Sequence, residues 1–466
     1  MDADSYDLIV IGCGAAGLSA AVSHAAARGE GARIAVLERA TREGRGGATR
    51  WTSSWFRITG DRRLDPAFVE LMGAVSEGKA NLDICRALER ETRGTLDFLE
   101  ANGVELIFFQ QPFANRNTGG GLGMPARGGV GIVDALADVV ERNAGSEILY
   151  ETEALRLLRS GSGAVEGVEV RGPGGAVRSL RAPSVVIACG GFEGSKDLLA
   201  RHLGPRGREL PVIAPTLVNN RGDGLLMATE AGADVAGQFD MFHGEPVDRR
   251  SSKPDAVVYA FPFGILVNRH ARRFFDEGKD SFDATFEELG YEIWKNQEQT
   301  AFFISDQAMF DIPNVRPIIL TDQPPIEAAT IGELAGKLGL DAMALETTVR
   351  DFNAAITPGR FDPTIRDGKA ARVDPPKSNW AQPIEKPPFI AYPLTCAITF
   401  TFGGIRTDTQ ARVLTPDGTP IPGLYAAGEV TGLYYNQYPA GTSVLRAAAF
   451  GRIAGAHAAA AALERA

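Results

Sequence analysis

Residues Tyr6–Gly17 read Y-D-L-I-V-I-G-C-G-A-A-G, and this stretch decides the fold. Leu8–Ile11 is a continuous apolar run, the pattern of a strand buried on both faces of a parallel sheet. It passes into glycines at 12, 14 and 17 and then into the alanine-rich segment Leu18–Arg28, which favours helix. Gly12 permits the sharp turn, Gly14 lets the backbone approach a pyrophosphate, and Gly17 lets the helix lie against the strand. Ala15 and Ala16 sit between them, where the phosphates of a dinucleotide meet the positive helix end.

Working outward, a second strand, Arg33–Leu37, ends in Glu38 and Arg39, about twenty residues beyond the glycines. An acid at that place accepts hydrogen bonds from a ribose and repels a 2′-phosphate, so NADP is disfavoured and FAD or NAD remains. Three further segments favour FAD. The run Arg45-Gly46-Gly47-Ala48-Thr49-Arg50 predicts a glycine-rich loop where an NAD enzyme proceeds to its next helix and strand. Ser184–Gly191, S-V-V-I-A-C-G-G, is another buried strand ending in Cys189, Gly190 and Gly191; it follows a predicted antiparallel section at Ala154–Leu158, Val165–Val170 and Val177–Leu180. Gly423–Glu429 is a strand ending at Gly428 and an acid, far from the first motif.

Together these segments resemble the two-part FAD-binding domain of the fumarate reductase and succinate dehydrogenase flavoprotein family, over nearly the whole chain. The resemblance implies an α/β fold, α+β overall: a Rossmann-like FAD-binding domain in two segments, 1–239 and 397–466, with a capping domain inserted at 240–396. It implies that Glu38 holds the adenosine ribose, that Gly46 and Gly47 run beside the pyrophosphate and flavin, and that Ala154 meets the adenine. Glu429 then binds the ribityl chain, and the N–H groups of Ser443, Val444 and Leu445 face the flavin pyrimidine, where a helix N-terminus stabilises the charge of a reduced ring. No histidine lies near Gly46–Trp51, so a non-covalent FAD is expected. The stretch Ile265–Glu277 resembles the family's L-V-N…R-F-x-x-E segment. Ile331–Phe352 reads as helix, and the proline-rich run Pro375–Pro393 as an irregular return.

Bulk properties narrow the class. A chain of 466 residues predicts two domains. A formal net charge of −10 argues against a nucleic-acid partner or an anionic membrane surface. The four cysteines, Cys13, Cys85, Cys189 and Cys396, form no Cys-x-x-Cys pair, so metal and dithiol chemistry lack a sequence basis; all four read as buried residues in a reducing compartment. Residues 1–6 are polar and acidic with a strand following at once, which leaves no room for a signal core, and no apolar run reaches membrane-spanning length. A cytoplasmic protein is expected. There is no second G-x-G-x-x-G, so a nicotinamide partner is not favoured, and the electron acceptor, a quinone or an electron-transfer protein among the options, is unidentified.

The family's shared chemistry is hydride transfer between flavin N5 and a carbon beside an activated double bond. Such a site needs a group to polarise the substrate and a group to handle the proton. The fumarate reductase residues for these tasks are replaced: the segment before the last strands reads Thr399-Phe400-Thr401-Phe402-Gly403-Gly404, the final motif reads Tyr435–Thr442, and only Lys279, Asp280 and Ser281 stand near the expected arginine. Gly432-Leu433-Tyr434-Tyr435 with Gly441–Arg446 instead resembles the tricarballylate dehydrogenase subgroup. Tyr438-x-Ala-Gly resembles the S-Y-A-G-A-G of ketosteroid dehydrogenases, which implies that Tyr438 and the N–H of Thr442 polarise a carbonyl.

The expected activity is therefore desaturation of a carbon–carbon bond next to a carbonyl or carboxylate, on a carboxylic acid or cyclic ketone. An enoate reductase running the opposite way and a flavin-binding protein without turnover are the alternatives. His243, Tyr259 and Tyr435 are the further catalytic candidates, and Tyr434, Thr401, Arg116, Arg127 and Arg446 the substrate-binding ones. Against these stand the ordinary roles of such residues: tyrosines that pack, a loop histidine that is solvated, arginines in surface ion pairs.

Overall fold

The computed structural model describes residues 4–29, 31–115 and 121–465. The chain forms two compact units, one of Met1–Phe109, Gly121–His243 and Thr399–Ala466, the other of Gln110–Gly120 and Gly244–Ile398.

The first unit is built on a six-stranded sheet whose strands come from both ends of the chain. Leu8–Ile11 pairs in parallel with Ile34–Leu37 on one side and Val185–Ile187 on the other. Ser146–Leu149 extends the sheet beyond Ile34–Leu37, and Pro420–Ala426 lies parallel to Val185–Ile187. Arg412–Leu414 closes that edge as an antiparallel strand. All four residues of Leu8–Ile11 are buried, as a central parallel strand requires. The antiparallel section forms as Glu153–Arg159, Val165–Arg171 and Val177–Arg181.

One face of the sheet carries the first helix, Ala15–Arg28, and the closing helix, Ser443–Arg465. Small residues let these two helices approach at backbone distance. A Cβ on Gly451 would lie 2.1 Å from the Ala16 carbonyl oxygen, and one on Gly455 the same 2.1 Å from that of Ala20. His24 Nδ1 lies 3.2 Å from the Gly455 oxygen at the same seam.

The second unit has its own sheet, in the order Phe242–Asp248, Phe389–Thr401, Ala301–Asp306 and Ile265–Asn268, with Ile326–Ala328 also on Phe389–Thr401. Its R-F-F-D-E stretch forms a buried knot. Glu277, fully buried, accepts from the Leu266 N–H at 2.7 Å and from Arg273 Nη2 at 2.6 Å. Lys377 donates to the carbonyls of Pro262 at 2.6 Å and Gly264 at 3.0 Å, and burial lowers its pKa to about 8.

Three local expectations are corrected. The loop after Arg45 turns at Gly46, φ +104°, into a short helix, Gly47–Trp51, because glycine alone tolerates that bend. The helix expected over 331–352 is two, Ile331–Leu338 and Ala342–Ala354: Gly339 ends the first at φ +69°, and Asp341 accepts from the Ala344 N–H at 2.7 Å to start the second. The proline-rich return is partly regular, since the strand Phe389–Thr401 begins inside it.

Candidate active site

A cavity opens at the carboxyl ends of the parallel strands in the first unit. Its floor is the opening turn. Gly12, Gly14, Ala15 and Ala16 line it, while Gly17 lies beneath, where a Cβ would sit 1.9 Å from the Gly12 oxygen. Gly14 has the opposite character: a Cβ there would meet only Gly46 O and Thr49 Oγ1, both at 3.4 Å, so the space it leaves belongs to the cavity. Thr49 Oγ1 accepts from the Ala15 N–H at 3.1 Å and joins the short helix to the first turn of the long one.

Glu38 lines the cavity with Ala154, and its carboxylate accepts from the N–H groups of Ala40 at 2.8 Å and Gly46 at 3.4 Å. Burial pushes the Glu38 pKa up, and these backbone donors oppose the shift. Arg39 lines the cavity too, its guanidinium bonded to Asn219 O, Glu153 and Asp223. Gly46, Gly47, Ala48, Cys189, Gly190, Gly428, Glu429, Ser443 and Val444 complete the expected lining.

Four expected residues lie behind the wall: Gly17, Arg45, Gly191 and Leu445. Arg45 pairs with Asp134 at 3.0 Å and ties the short helix to Gly129–Arg142; Leu445 is fully buried. Cys189 is half-buried, unlike the other three cysteines, because it lines the cavity. Asn220, Thr399 and Phe400 also line it and were not singled out from the sequence, having no motif of their own.

Phe400 joins the cavity to a cluster of aromatic rings. Its centroid lies 4.7 Å from His243, 5.1 Å from Tyr438 and 5.9 Å from Tyr434, and His243 stands edge-on to Tyr438 at 4.8 Å. His243 and Tyr438 are both buried. Tyr438 is fixed by the start of the closing helix: its hydroxyl oxygen accepts from the N–H groups of Thr442 and Ser443, each at 2.8 Å. The loop between is held from below by Arg57, which donates through its amide to Gly441 O at 2.7 Å and through Nε to Ala440 O at 3.0 Å. Two donors at a helix N-terminus fix the phenol oxygen in place, where its own O–H can be aimed as a donor.

Several candidates are placed differently from expectation. The N–H groups of Thr442 and Ser443 point at Tyr438 and not outward. Tyr434 is buried under Arg446, whose guanidinium lies 5.0 Å from its ring, and burial pushes the Tyr434 hydroxyl up. Arg446 donates to Thr431 O and Oγ1, each at 3.2 Å, and to Gly428 O at 3.3 Å, so it holds the turn around Glu429. Thr401 is buried, its N–H on Glu429 Oε1 at 3.1 Å and its Oγ1 accepting from Phe192 at 3.3 Å. Tyr435 accepts from the Gly237 N–H at 3.0 Å, away from the cavity. Arg127 is exposed and paired with Asp134 at 2.9 Å. Arg116 lies outside the described residues. Tyr259 belongs to the second unit, where it donates to Glu245 Oε2 at 3.0 Å and packs on Phe282 and Phe286.

The arrangement fits FAD on its own terms: a glycine floor open to a pyrophosphate, an acid beside Ala154 for the adenosine end, and a helix N-terminus with aromatic rings at the other. Among the described residues no histidine lines the cavity, and no helix is long and apolar enough to cross a membrane.

Comparison with known proteins agrees. A family model described as "FAD binding domain" matches residues 7–445. The chain is 29% identical to 4-oxocyclohexanecarboxylate 2-dehydrogenase of Sinomonas cyclohexanicum, over 95% of this chain and 90% of that one. It is 26% identical to a cytochrome-type fumarate reductase of Shewanella frigidimarina, over 98% of this chain and 77% of that one. Among solved structures it resembles 3-ketosteroid-Δ4-(5α)-dehydrogenase from Rhodococcus jostii RHA1, with a TM-score of 0.75, 26% identity and 98% of each chain covered. The likeness to fumarate reductases and ketosteroid dehydrogenases expected from the motifs is borne out.

Proposed function

The chain belongs to the FAD binding domain family, and from that premise we propose that it desaturates a carbon–carbon bond next to a ketone, with non-covalent FAD as its cofactor. It is an FAD-dependent oxidoreductase acting on CH–CH groups; the direction and the substrate are what we infer. The observation that carries the inference is Tyr438, a buried phenol that accepts two backbone N–H bonds and packs against Phe400 of the cofactor cavity.

When bound, FAD supplies the acceptor for the hydride. Tyr438 donates a hydrogen bond to the substrate carbonyl oxygen and stabilises the negative charge that grows there as the adjacent carbon loses its proton, a contribution of about 3 kcal/mol to the barrier. One group beside Tyr438 is suited to the proton: His243, which lies edge-on to it. The buried rings keep water from the reacting carbons.

A cyclic ketone is the favoured substrate class, in line with the names of the Sinomonas and Rhodococcus relatives. Anaerobic mixing of the FAD-loaded protein with 4-oxocyclohexanecarboxylate, a 3-ketosteroid and a saturated tricarboxylate tests this. Bleaching of the flavin by a saturated ketone is expected. Reoxidation of pre-reduced protein by fumarate or another enoate, without bleaching by any saturated compound, would reverse the direction, as the fumarate reductase relative allows. No response in either arm would leave a flavin binder without turnover. Electrons then leave to an acceptor, a quinone or an electron-transfer protein.

A further inference from the structure

We propose that Glu193 is a positioning residue for the cofactor: it shares one buried proton with Glu429 and thereby holds the Glu429 carboxylate toward the cavity. The inference rests on the FAD reading of that cavity and is independent of the direction of the reaction.

Glu193 and Glu429 stand on the turns that follow two adjacent parallel strands, Val185–Ile187 and Pro420–Ala426, paired at Ile187 and Ala426. Their carboxyl groups meet beside Gly191. Gly191 shows how tightly oxygens crowd there: a Cβ on it would lie 2.2 Å from Thr401 Oγ1, 2.3 Å from Glu429 Oε1 and 3.0 Å from Glu193 Oε2. Glu429 lines the cavity, whereas Glu193 is fully buried behind it.

The hydrogen-bond pattern assigns the proton. Glu193 Oε1 accepts from Asn220 Nδ2 at 2.6 Å, but its Oε2 is buried with no donor to accept from among the described residues. As an acceptor that oxygen is orphaned; as a hydroxyl it donates to Glu429. Glu429 is already set up as the acceptor, taking the Thr401 N–H at 3.1 Å on Oε1, with Arg446 of the closing helix as the charged group beside it. Two buried carboxyl groups in contact cannot both ionise without mutual repulsion. Burial first, and the Glu429 charge second, push Glu193 well above its ordinary value; burial also raises Glu429.

The sign follows from the raised direction. The stability that the shared proton contributes is complete below the ordinary carboxyl value of 4.5 and is lost as pH rises through the raised value. FAD should therefore bind less tightly as pH rises through that window, as two facing carboxylates push Glu429 out of place.

The test is titration of apoprotein with FAD, followed by flavin fluorescence from pH 5 to 9, with thermal midpoints of each apoprotein alongside. Glu193→Gln keeps a donor toward Glu429 and has no proton to lose: FAD affinity near that of the parent at low pH and a pH profile shallower than the parent's are expected. Glu193→Ala removes the donor and is expected to weaken FAD about tenfold, the size of one hydrogen bond to a charged group. A parent and Glu193→Gln with the same pH slope, or Glu193→Gln as weak as Glu193→Ala, would overturn the inference. Should Glu193→Ala not fold, the parent and Glu193→Gln profiles decide alone. A parent that binds no FAD at any pH overturns the cofactor reading itself, a separate result.

Discussion

The two ends of the cofactor cavity are made of different material. At the dinucleotide end, Gly12, Gly14, Gly46 and Gly47 contribute backbone and empty space, with Glu38 as the acid that backbone N–H groups hold in place. At the other end, Phe400 contributes a side chain that packs on Tyr438 and His243 beyond the lining; Tyr438 is held by Thr442 and Ser443, a few residues on, in a loop that Arg57 supports from far away in sequence. A residue chosen because nothing larger fits is intolerant of change in a way that does not depend on its neighbours' identities. A residue chosen for what it donates can be replaced without disturbing the fold, at the cost of chemistry alone.

This contrast can be broken at its strongest point first. Gly17→Val would drive a side chain into the Gly12 carbonyl, 1.9 Å from where its Cβ must sit, and a loss of about 4 kcal/mol or more in stability is expected. Gly14→Ala at the same turn meets nothing closer than 3.4 Å, so the protein should fold with its thermal midpoint nearly unchanged yet come out colourless. Yellow Gly17→Val protein of parental stability would remove the steric argument. At the aromatic end, Tyr438→Phe should retain FAD and lose about a hundredfold in the rate of flavin reduction; an unchanged rate in stopped flow would exclude Tyr438 from the chemistry. Arg127→Ala should do least. Its exposed ion pair with Asp134 contributes about 0–1 kcal/mol, and steady-state parameters should stay within about twofold of the parent.

The same contrast explains what was legible in the sequence. The opening strand, turn and helix, the acid at Glu38 and the returning strand before Glu429 could all be read, because each rests on local pattern or on a steric need. Phe400 and Asn220 could not, since nothing around them distinguishes a lining residue from a packed one. Arg446 lines the cavity, but its bonds to Gly428 and Thr431, which arrive from another element, could not be read from its place one turn into the closing helix. The Thr442 amide bonds within its own loop, to Tyr438 four residues before it. Periodicity also overran a break at Gly339, where a single positive φ ends one helix and begins the approach to another.

The seam between the first and closing helices bears on how the protein is made. Gly451 and Gly455 let the closing helix rest on the backbone of Ala16 and Ala20, and the same helix brings Ser443 and Val444 to the cavity. More than 400 residues separate the starts of the two helices. At ribosomal speeds of about 5–20 residues per second, the nucleotide-binding turn emerges tens of seconds before its counterpart exists. Flavin capture is thus an event of the finished polypeptide, and nascent chains halted before Ser443 should leave the ribosome without colour.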